Sequence, residues 1–518
     1  MTCWHIAFVA CYNRLMQNAT QTTPQPSSHH DTAREWWVLI AVGLCLFLGS
    51  VDGSIVNVAL PTLMQDFNAD FPAVQWVVLA YLLGLTVLMV SMGRLADMIG
   101  KKRVFSTGIV LFLLGSALCG LSPNIYVLVA CRFLQSIGAA MMLALGTAIL
   151  TEVWPSYKRG QAIGFAAGFI SLGIVFGPAI GGIMLQYLSW HWIFFVNVPI
   201  GAISFALVML FVPPLRPSGS RESFDVAGAT SLGIGLLCLT LGITLGQNDG
   251  FTAPHVLGLF AAAVALLALF VWLEMRVRFP MLDLSLFREA QFSLNLFTGT
   301  IVFVALAGVV LLLPFYLSLV LKLPELQVGL YMAIVPLIMA VLQPMSGTFS
   351  DRLGTRIVST AGLVFILIGY LLMTTLPDSG SPMGYVWRFL PVAIGMSLFN
   401  SPNNSAIMGS APKHRLGIAS ALLSTMRTLG QVIGVAVLGA FFYHSLAVHN
   451  GAPVSLEQAS PQVITAALHE QFLVVSLLIA IGLVTALVTW RWEIRHGLNR
   501  KQRDHDTERE SAPVIESV

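Results

Sequence analysis

Apolar residues dominate fourteen stretches of the chain, each close to the length a helix needs to cross a bilayer, about 20 residues. The runs lie near 36–60, 73–93, 104–121, 124–149, 162–187, 192–213, 225–246, 255–273, 292–316, 326–347, 357–376, 384–408, 416–443 and 470–492. Each is read as a helix, because lipid offers the backbone N–H and C=O groups no outside partner. The elements predicted are therefore all helical and all embedded.

The charges between the runs orient them. With both termini cytoplasmic, inner segments carry Arg14, Arg34, Arg94, Lys101, Lys102, Arg103, Lys158, Arg159, Arg216, Arg221, Arg276, Arg278, Arg288, Arg352, Arg356, Lys413 and Arg415. The C-terminal tail adds Arg491, Arg495, Arg500, Lys501, Arg503 and Arg509, whereas the outer loops hold only Lys322. Arg132, Arg388 and Arg427 fall inside runs. A miscounted helix would scramble this alternation, so the expectation is fourteen spans in a cell membrane with both ends cytoplasmic.

The pattern also repeats. GRLADMIGKKRVFSTG (93–108) aligns with GTFSDRLGTRIVSTAG (347–362), and the pairs Gly93/Gly347, Asp97/Asp351, Gly100/Gly354 and Gly115/Gly369 keep one spacing. RFLQSIG (132–138) recurs as RFLPVAIG (388–395). Runs one to six thus correspond to runs nine to fourteen, an architecture of duplicated six-helix halves around a central cavity. The division expected is a disordered cytoplasmic tail (1–35), an N-terminal half (36–213), an inserted helix pair with linkers (214–289), a C-terminal half (290–492) and a second tail (493–518). Cys3–Tyr12 is too short to span and lacks a cationic flank, so it is a poor signal peptide, and Met16 is an alternative start.

Composition narrows the function. Of 518 residues, 56% are hydrophobic and only 10% charged, with a net charge of +3. A soluble protein of this length could not cover so much apolar surface. A nucleic-acid binder would need a basic face. The six cysteines form no CxxC pair. The histidines fall outside the apolar runs, which leaves no metal or haem set and no cofactor expected. No GxxxxGK[ST] is present, the loops are too short for a nucleotide domain, and the spans hold no catalytic constellation. A transporter driven by an ion gradient fits; an enzyme does not.

Five segments carry a resemblance: SVDGSIVNVALP (50–61), GRLADMIGKKR (93–103), RFLQSIGAA (132–140), GIVFGPAIGG (173–182) and WHWIFFVNVPIG (190–201). The chain resembles the major facilitator superfamily, in its fourteen-helix drug:proton antiporter branch of QacA- and EmrB-like multidrug exporters, over residues 36 to 495. The resemblance implies a major facilitator fold with two inserted central helices. It also implies export of lipophilic, cationic or amphiphilic compounds in exchange for protons by alternating access, by a monomer and without cofactor. The chain departs from the motifs at Gly53, Ser136 and His191. A narrow metabolite exporter, an uptake symporter and a non-transporting sensor are the alternatives.

The candidate chemistry starts with Asp52, an acid deep inside a span. Such a carboxylate must meet water, a cation or a proton, which makes it the proton-coupling candidate. Arg132 is its natural counter-charge, with Gln135 on the same helix face; the resemblance gives this arginine a part in proton transfer. Gly173, Gly177 and Gly181 line one face of the fifth helix beside Pro178, where another helix can come close. Gly93, Asp97 and Gly100, with their twins Gly347 and Asp351, read as a conformational latch, Asp97 being expected at the start of the thirteenth helix. Asn57, Gln135, Met141, Met142, Phe297, Asn400, Asn404, Arg427 and Gln431, together with Tyr316, are candidate substrate contacts, chosen as polar, soft or aromatic residues within apolar spans. Glu152, Lys158 and Arg159 read as solvated charges.

Overall fold

A computed structural model describes residues 32–215, 225–277, 284–412, 416–452 and 454–495. Residues 1–31 and 496–518 of the two tails, and Arg216, Arg221, Arg278, Lys413 and Arg415, lie outside the described residues, while helix begins at Thr32, within the stretch expected to be a tail. Helix follows helix with no strand among the described residues. The first six are α1 (Thr32–Asp66), α2 (Phe71–Ile99), α3 (Lys101–Gly120), α4 (Ile125–Val153), α5 (Arg159–Tyr187) and α6 (Trp192–Phe211). Then come α7 (Val226–Asp249) and α8 (Pro254–Glu274). The last six are α9 (Ala290–Phe315), α10 (Glu325–Leu353), α11 (Thr355–Met373), α12 (Met383–Ser410), α13 (Leu416–Ile433, continuing as Gly439–Asn450) and α14 (Pro461–Arg495). Wider π-turns at Tyr316–Val320 and Gly434–Leu438 extend α9 and interrupt α13.

Thirteen helices among the described residues are long and apolar enough to cross a membrane. The remaining expected run, 384–408, is α12, a helix of 28 residues diluted by Asn400, Ser401, Asn403, Asn404 and Ser405. Histidine is less cleanly excluded from the helices than expected: His444 and His449 lie in α13, and His469 in α14 bonds the Leu376 carbonyl at 2.8 Å.

The sequence repeat is a repeat of packing. Gly100 closes α2 onto α3 with φ +103°, and Gly354 closes α10 onto α11 with φ +91°, a backbone that side chains disfavour. In both halves, glycines bring the next two helices close: Gly108 meets Gly138 where α3 crosses α4, and Gly362 meets Gly395 where α11 crosses α12. In the first half α1 packs on α4, α5 and α6; in the second, α9 packs on α12, α13 and α14. The pair α7 and α8 pack on each other, with α7 against α2, where the Trp76 indole donates to Thr244 Oγ1 at 3.1 Å.

The halves touch along α5–α10, α2–α13 and α1–α9. They close at one end only. There Phe71 of α2 packs on Phe315, Phe442 and Tyr443, and the Gln75 amide donates to the Val435 carbonyl in the π-turn of α13. A Cβ on Gly182 of α5 would come within 2.7 Å of the Glu325 carbonyl of α10, and one on Gly329 within 2.3 Å of the Pro178 carbonyl. Gly164 and Gly347 lie eighteen residues from Gly182 and Gly329, about five turns along the same faces. Yet nothing lies within 4 Å of a Cβ on Gly164, and only Ser401 of its own half lies near one on Gly347. The halves therefore splay apart toward the end bearing Gly100 and Gly354, leaving a cleft between them.

Candidate functional site

Asp52 sits 21 residues into α1 and is fully buried. A lone carboxylate there would cost several kcal/mol, roughly, and four neighbouring helices supply the compensation. Arg132 of α4 donates from Nη1 to Asp52 Oδ2 at 2.6 Å. The Gln135 amide, one turn along α4, donates to Oδ1 at 2.8 Å, and the Asn197 amide of α6 donates to the same oxygen at 3.0 Å. Arg132 also donates to Gln135 Oε1 at 2.8 Å and from Nε to the Val77 carbonyl of α2 at 3.3 Å. Its guanidinium lies 4.2 Å from the centre of the Tyr81 ring, whose hydroxyl donates to the Gly49 carbonyl at 3.3 Å. Asn197 reaches on to Ser116 of α3 at 3.0 Å, and Ser116 donates to the Phe194 carbonyl at 2.9 Å. The acid is thus locked inside the first half, with both its oxygens engaged.

This arrangement joins Asp52, Arg132 and Gln135 as the sequence suggests, and adds Tyr81 and Asn197, which sequence reasoning missed. Asn197 stood inside the segment WHWIFFVNVPIG, a polar residue in an apolar run. Tyr81 carried no signal, since an aromatic residue in a span is ordinary. The engagement removes the ground for expecting a guest cation at Asp52: the acid's counter-charge is already Arg132.

The cleft nevertheless comes within one residue of this cluster. Gly53 is exposed although α1 is surrounded by α2, α4, α5 and α6 of its own half and by α9 and α10 of the other. Such exposure can only face an interior space. A Cβ on Gly53 would meet just Tyr81, at 3.9 Å. Asn57, one turn on and partly exposed, donates back to the Gly53 carbonyl at 3.3 Å.

The glycine face of α5 meets α1. Gly173 lies against Phe47, Ser50 and Val51, Gly177 against Ser54, and Gly181 against Ile55, so the helix holding Asp52 is gripped along its length. The adjacent Gly182 meets α10, as described above. One helix therefore touches both the Asp52 helix and the other half.

Several expected substrate contacts are packing instead. Met142 is fully buried in the core of the first half, and Met141, nearly so, fills the space over Gly108 where α3 crosses α4. Tyr316 is buried, with its hydroxyl donating to the Pro377 carbonyl at 2.9 Å. Flexible side chains fill gaps between helices as readily as they line a cavity, and residue type alone does not tell the two apart. Ser136 occupies the space left by Gly84 of α2 and donates to the Phe133 carbonyl.

The remaining candidates gather in the second half. Phe297 of α9 is half exposed although α9 is flanked by α1, α12, α13 and α14. Asn400, Asn403 and Asn404 lie three and four residues apart on α12, and none hydrogen-bonds a described residue. On α13, Ser420, Ser424, Arg427 and Gln431 follow each other at helical spacing along one partly exposed face, while Ala419, Leu422 and Val432 are buried on the other. The Arg427 guanidinium lies 4.7 Å from the Phe303 ring centre, and its Nε is sealed off without a hydrogen bond.

The loop between α2 and α3 forms a network within the first half. Lys101 pairs with Glu152 of α4 at 2.6 Å and with Asp97 at 3.8 Å, and Lys102 donates to the Met209 and Val212 carbonyls of the sixth span at 3.0 and 2.7 Å. Glu152 is therefore an ion-pair member and not a free solvated charge. Residues 413–415, before the start of α13, where Asp97 was expected to dock, lie outside the described residues. Gly93 meets nothing within 4 Å, at the splayed end, and Asp351 is exposed.

Residues 42–435 match the family model described as Major Facilitator Superfamily. The chain is a member of the major facilitator superfamily. It is 34% identical over 414 residues to the riboflavin transporter RibZ of Clostridioides difficile (strain 630), covering 80% of this chain and 89% of that protein. It is also 34% identical over 402 residues to the multidrug resistance protein Stp of Mycobacterium tuberculosis, covering 77% of this chain and 74% of that one. Its fold is similar to the crystal structure of a bacterial homologue of the human lysosomal transporter Spinster, with TM-score 0.65 and 16% identity over 88% of this chain and 97% of that one. The superfamily chain is accordingly a multi-pass integral membrane transporter of small molecules, and not an enzyme.

Proposed function

We propose that this superfamily member is a proton-coupled antiporter that exports lipophilic or amphiphilic small molecules by alternating access. The observation that carries the reading is the Asp52 cluster: one acid, one arginine and two amides, sealed inside one half beside a cleft that reaches Gly53. When Asp52 takes a proton, its charge is gone and Arg132 loses its 2.6 Å partner. The guanidinium then has the Gln135 and Val77 oxygens and the Tyr81 face to hold it, and α1 is freed from α4. Because α5 grips α1 through Gly173, Gly177 and Gly181 and meets α10 through Gly182, a shift of α1 reaches the contact between the halves. Proton occupancy thereby biases which end of the cleft is open.

In this reading residues 36–213 and 290–492 are the rocking halves, residues 214–289 are an inserted pair, and fourteen spans leave both termini cytoplasmic. The protein acts as a monomer, and the Asp97–Lys101–Glu152 network keeps the α2–α3 loop in shape at the open end. The drug-resistance relative supports a broad guest range. The riboflavin transporter supports a second reading, a carrier of one metabolite.

Proteoliposomes with an imposed pH gradient test both. A panel of fluorescent guests, riboflavin and charged xanthene dyes among them, is expected to move with the gradient in wild type. In Asp52→Asn gradient-driven movement is expected to fall to the leak, while guest binding persists. Equal gradient-driven flux in wild type and variant would remove Asp52 as the coupling group. Movement of riboflavin alone would favour the single-metabolite carrier.

A further inference from the structure

The reading above leaves the guest's charge open, and the two halves answer it differently. Asp52, the acid in the middle of a span, is engaged by Arg132, Gln135 and Asn197. Arg427 is a cation in the middle of a span with no carboxylate within ion-pair reach and no hydrogen bond among the described residues; its guanidinium lies 4.7 Å from the centre of the Phe303 ring. A permanently charged guanidinium at membrane depth has to be met by water or by an anion.

Its surroundings are those of a binding face. Arg427 shares the polar side of α13 with Ser420, Ser424 and Gln431. Across from it, Asn403 of α12 lies over Gly299 of α9, where a Cβ would meet its amide nitrogen at 3.0 Å. Gly299 and Phe303 are four residues apart, on one face of α9 and about 6 Å apart along its axis. Asn403 of α12, which is buried, and the arginine of α13 thus meet the same face of α9, and Asn404 beside Asn403 is partly exposed. Arg427 lies against the Phe303 ring, which engages one side of the guanidinium; with Nε sealed off, the terminal Nη pair is the edge left for a guest, and that fork matches a carboxylate or sulfonate.

We infer that the cleft takes anionic aromatic amphiphiles, with the guest's acid group paired to Arg427 and its polar substituents bonded by the partly exposed amides of Asn404 and Gln431. This rests on the export reading for its biological sense but not for its test. The acid that would have favoured a cationic guest is neutralised in the opposite half, so the free charge presented to the guest is positive. Asn404 and Gln431 can donate or accept, which suits varied substituents on one charged core.

The test uses two xanthene dyes of similar size, the anion sulforhodamine and the cation rhodamine ethyl ester, with full-length protein in detergent and fluorescence anisotropy as readout. Wild type is expected to prefer sulforhodamine. Arg427→Gln should weaken sulforhodamine binding about tenfold, the scale of a charge-assisted hydrogen bond, and leave the ester unchanged. Arg427→Lys should fall between. Equal weakening of both dyes, or sulforhodamine binding indifferent to Arg427→Gln, overturns the inference. If Arg427→Gln does not fold, wild type still decides, because a preference for the ester, or no preference at all, overturns it equally. Gradient-driven flux in proteoliposomes separates this from the export reading. Anion-selective binding without flux keeps the inference and removes export. Gradient-driven flux of sulforhodamine that ignores Arg427→Gln does the reverse.

Discussion

The two halves share a backbone plan and differ in how their polar groups are spent. In the first half every charge in the membrane interior is answered: Asp52 receives three donors, and Arg132 has a carboxylate, two oxygens and an aromatic face. In the second half Arg427, Gln431 and three asparagines of α12 are left without hydrogen bonds to described residues. The repeat itself explains the starting point, since Arg132 has its twin in Arg388, which lies near the end of α12 and bonds the Gly384 carbonyl and Thr375. Where Gln135 stands in one half, Pro391 stands in the other. The same frame thus carries a closed ionic cluster on one side and, on the other, polar groups left unbonded among the described residues, of which Asn404, Arg427 and Gln431 are partly exposed. In the proposed mechanism the saturated groups hold shape and respond to a proton, and the unsaturated ones respond to a guest.

This contrast can be broken most forcefully by removing one arginine from each half. Arg132→Ala leaves a buried, uncompensated carboxylate, and the expected loss is about 3–5 kcal/mol of stability, read as a lowered thermal midpoint in detergent. Arg427→Ala removes a cation that has no counter-charge and should leave the midpoint unchanged or raise it. A loss at Arg427 as large as at Arg132 would mean that the second half holds a structural pair of its own. A gentler version compares amides. Asn197→Ala removes donors to Asp52 and Ser116 and is expected to cost about 1 kcal/mol, whereas Gln431→Ala should cost close to nothing. The same unfolding measurement reads both.

Much of this was legible from the sequence, and what was legible has a common cause. Charges in lipid are expensive, so Asp52, Arg132 and Arg427 announced themselves, and Gln135 followed from its place one turn from Arg132. Close helix crossings need small residues, so the Gly173–Gly177–Gly181 face and the Gly100/Gly354 turns were visible, although not that α1 is the helix gripped. Neutral side chains cost far less than charges inside a span, so they signal less. Asn197 therefore completed the cluster without standing out, and Met141 and Met142, which share their type with cavity-lining methionines, turned out to fill a helix crossing. The end at which the halves close was not legible at all: Gly182 and Gly329 sit in apolar runs like any small residue, and closure belongs to a conformation, not to a composition. The polarity of α12 was visible in Asn400 and Asn404, and the same polarity keeps that helix from meeting the apolarity of the other thirteen.

The central claim is that proton occupancy of the Asp52 cluster is coupled to guest binding through which end of the cleft is open, and proton release on guest binding tests it most directly. Purified protein in weakly buffered detergent, with a pH-indicating dye in solution, is mixed with a guest that it is known to bind. The account predicts that wild type releases protons as guest binds, and that Asp52→Asn binds the same guest with no release. Proton release of equal size from Asp52→Asn would contradict it, and would place coupling elsewhere in the molecule.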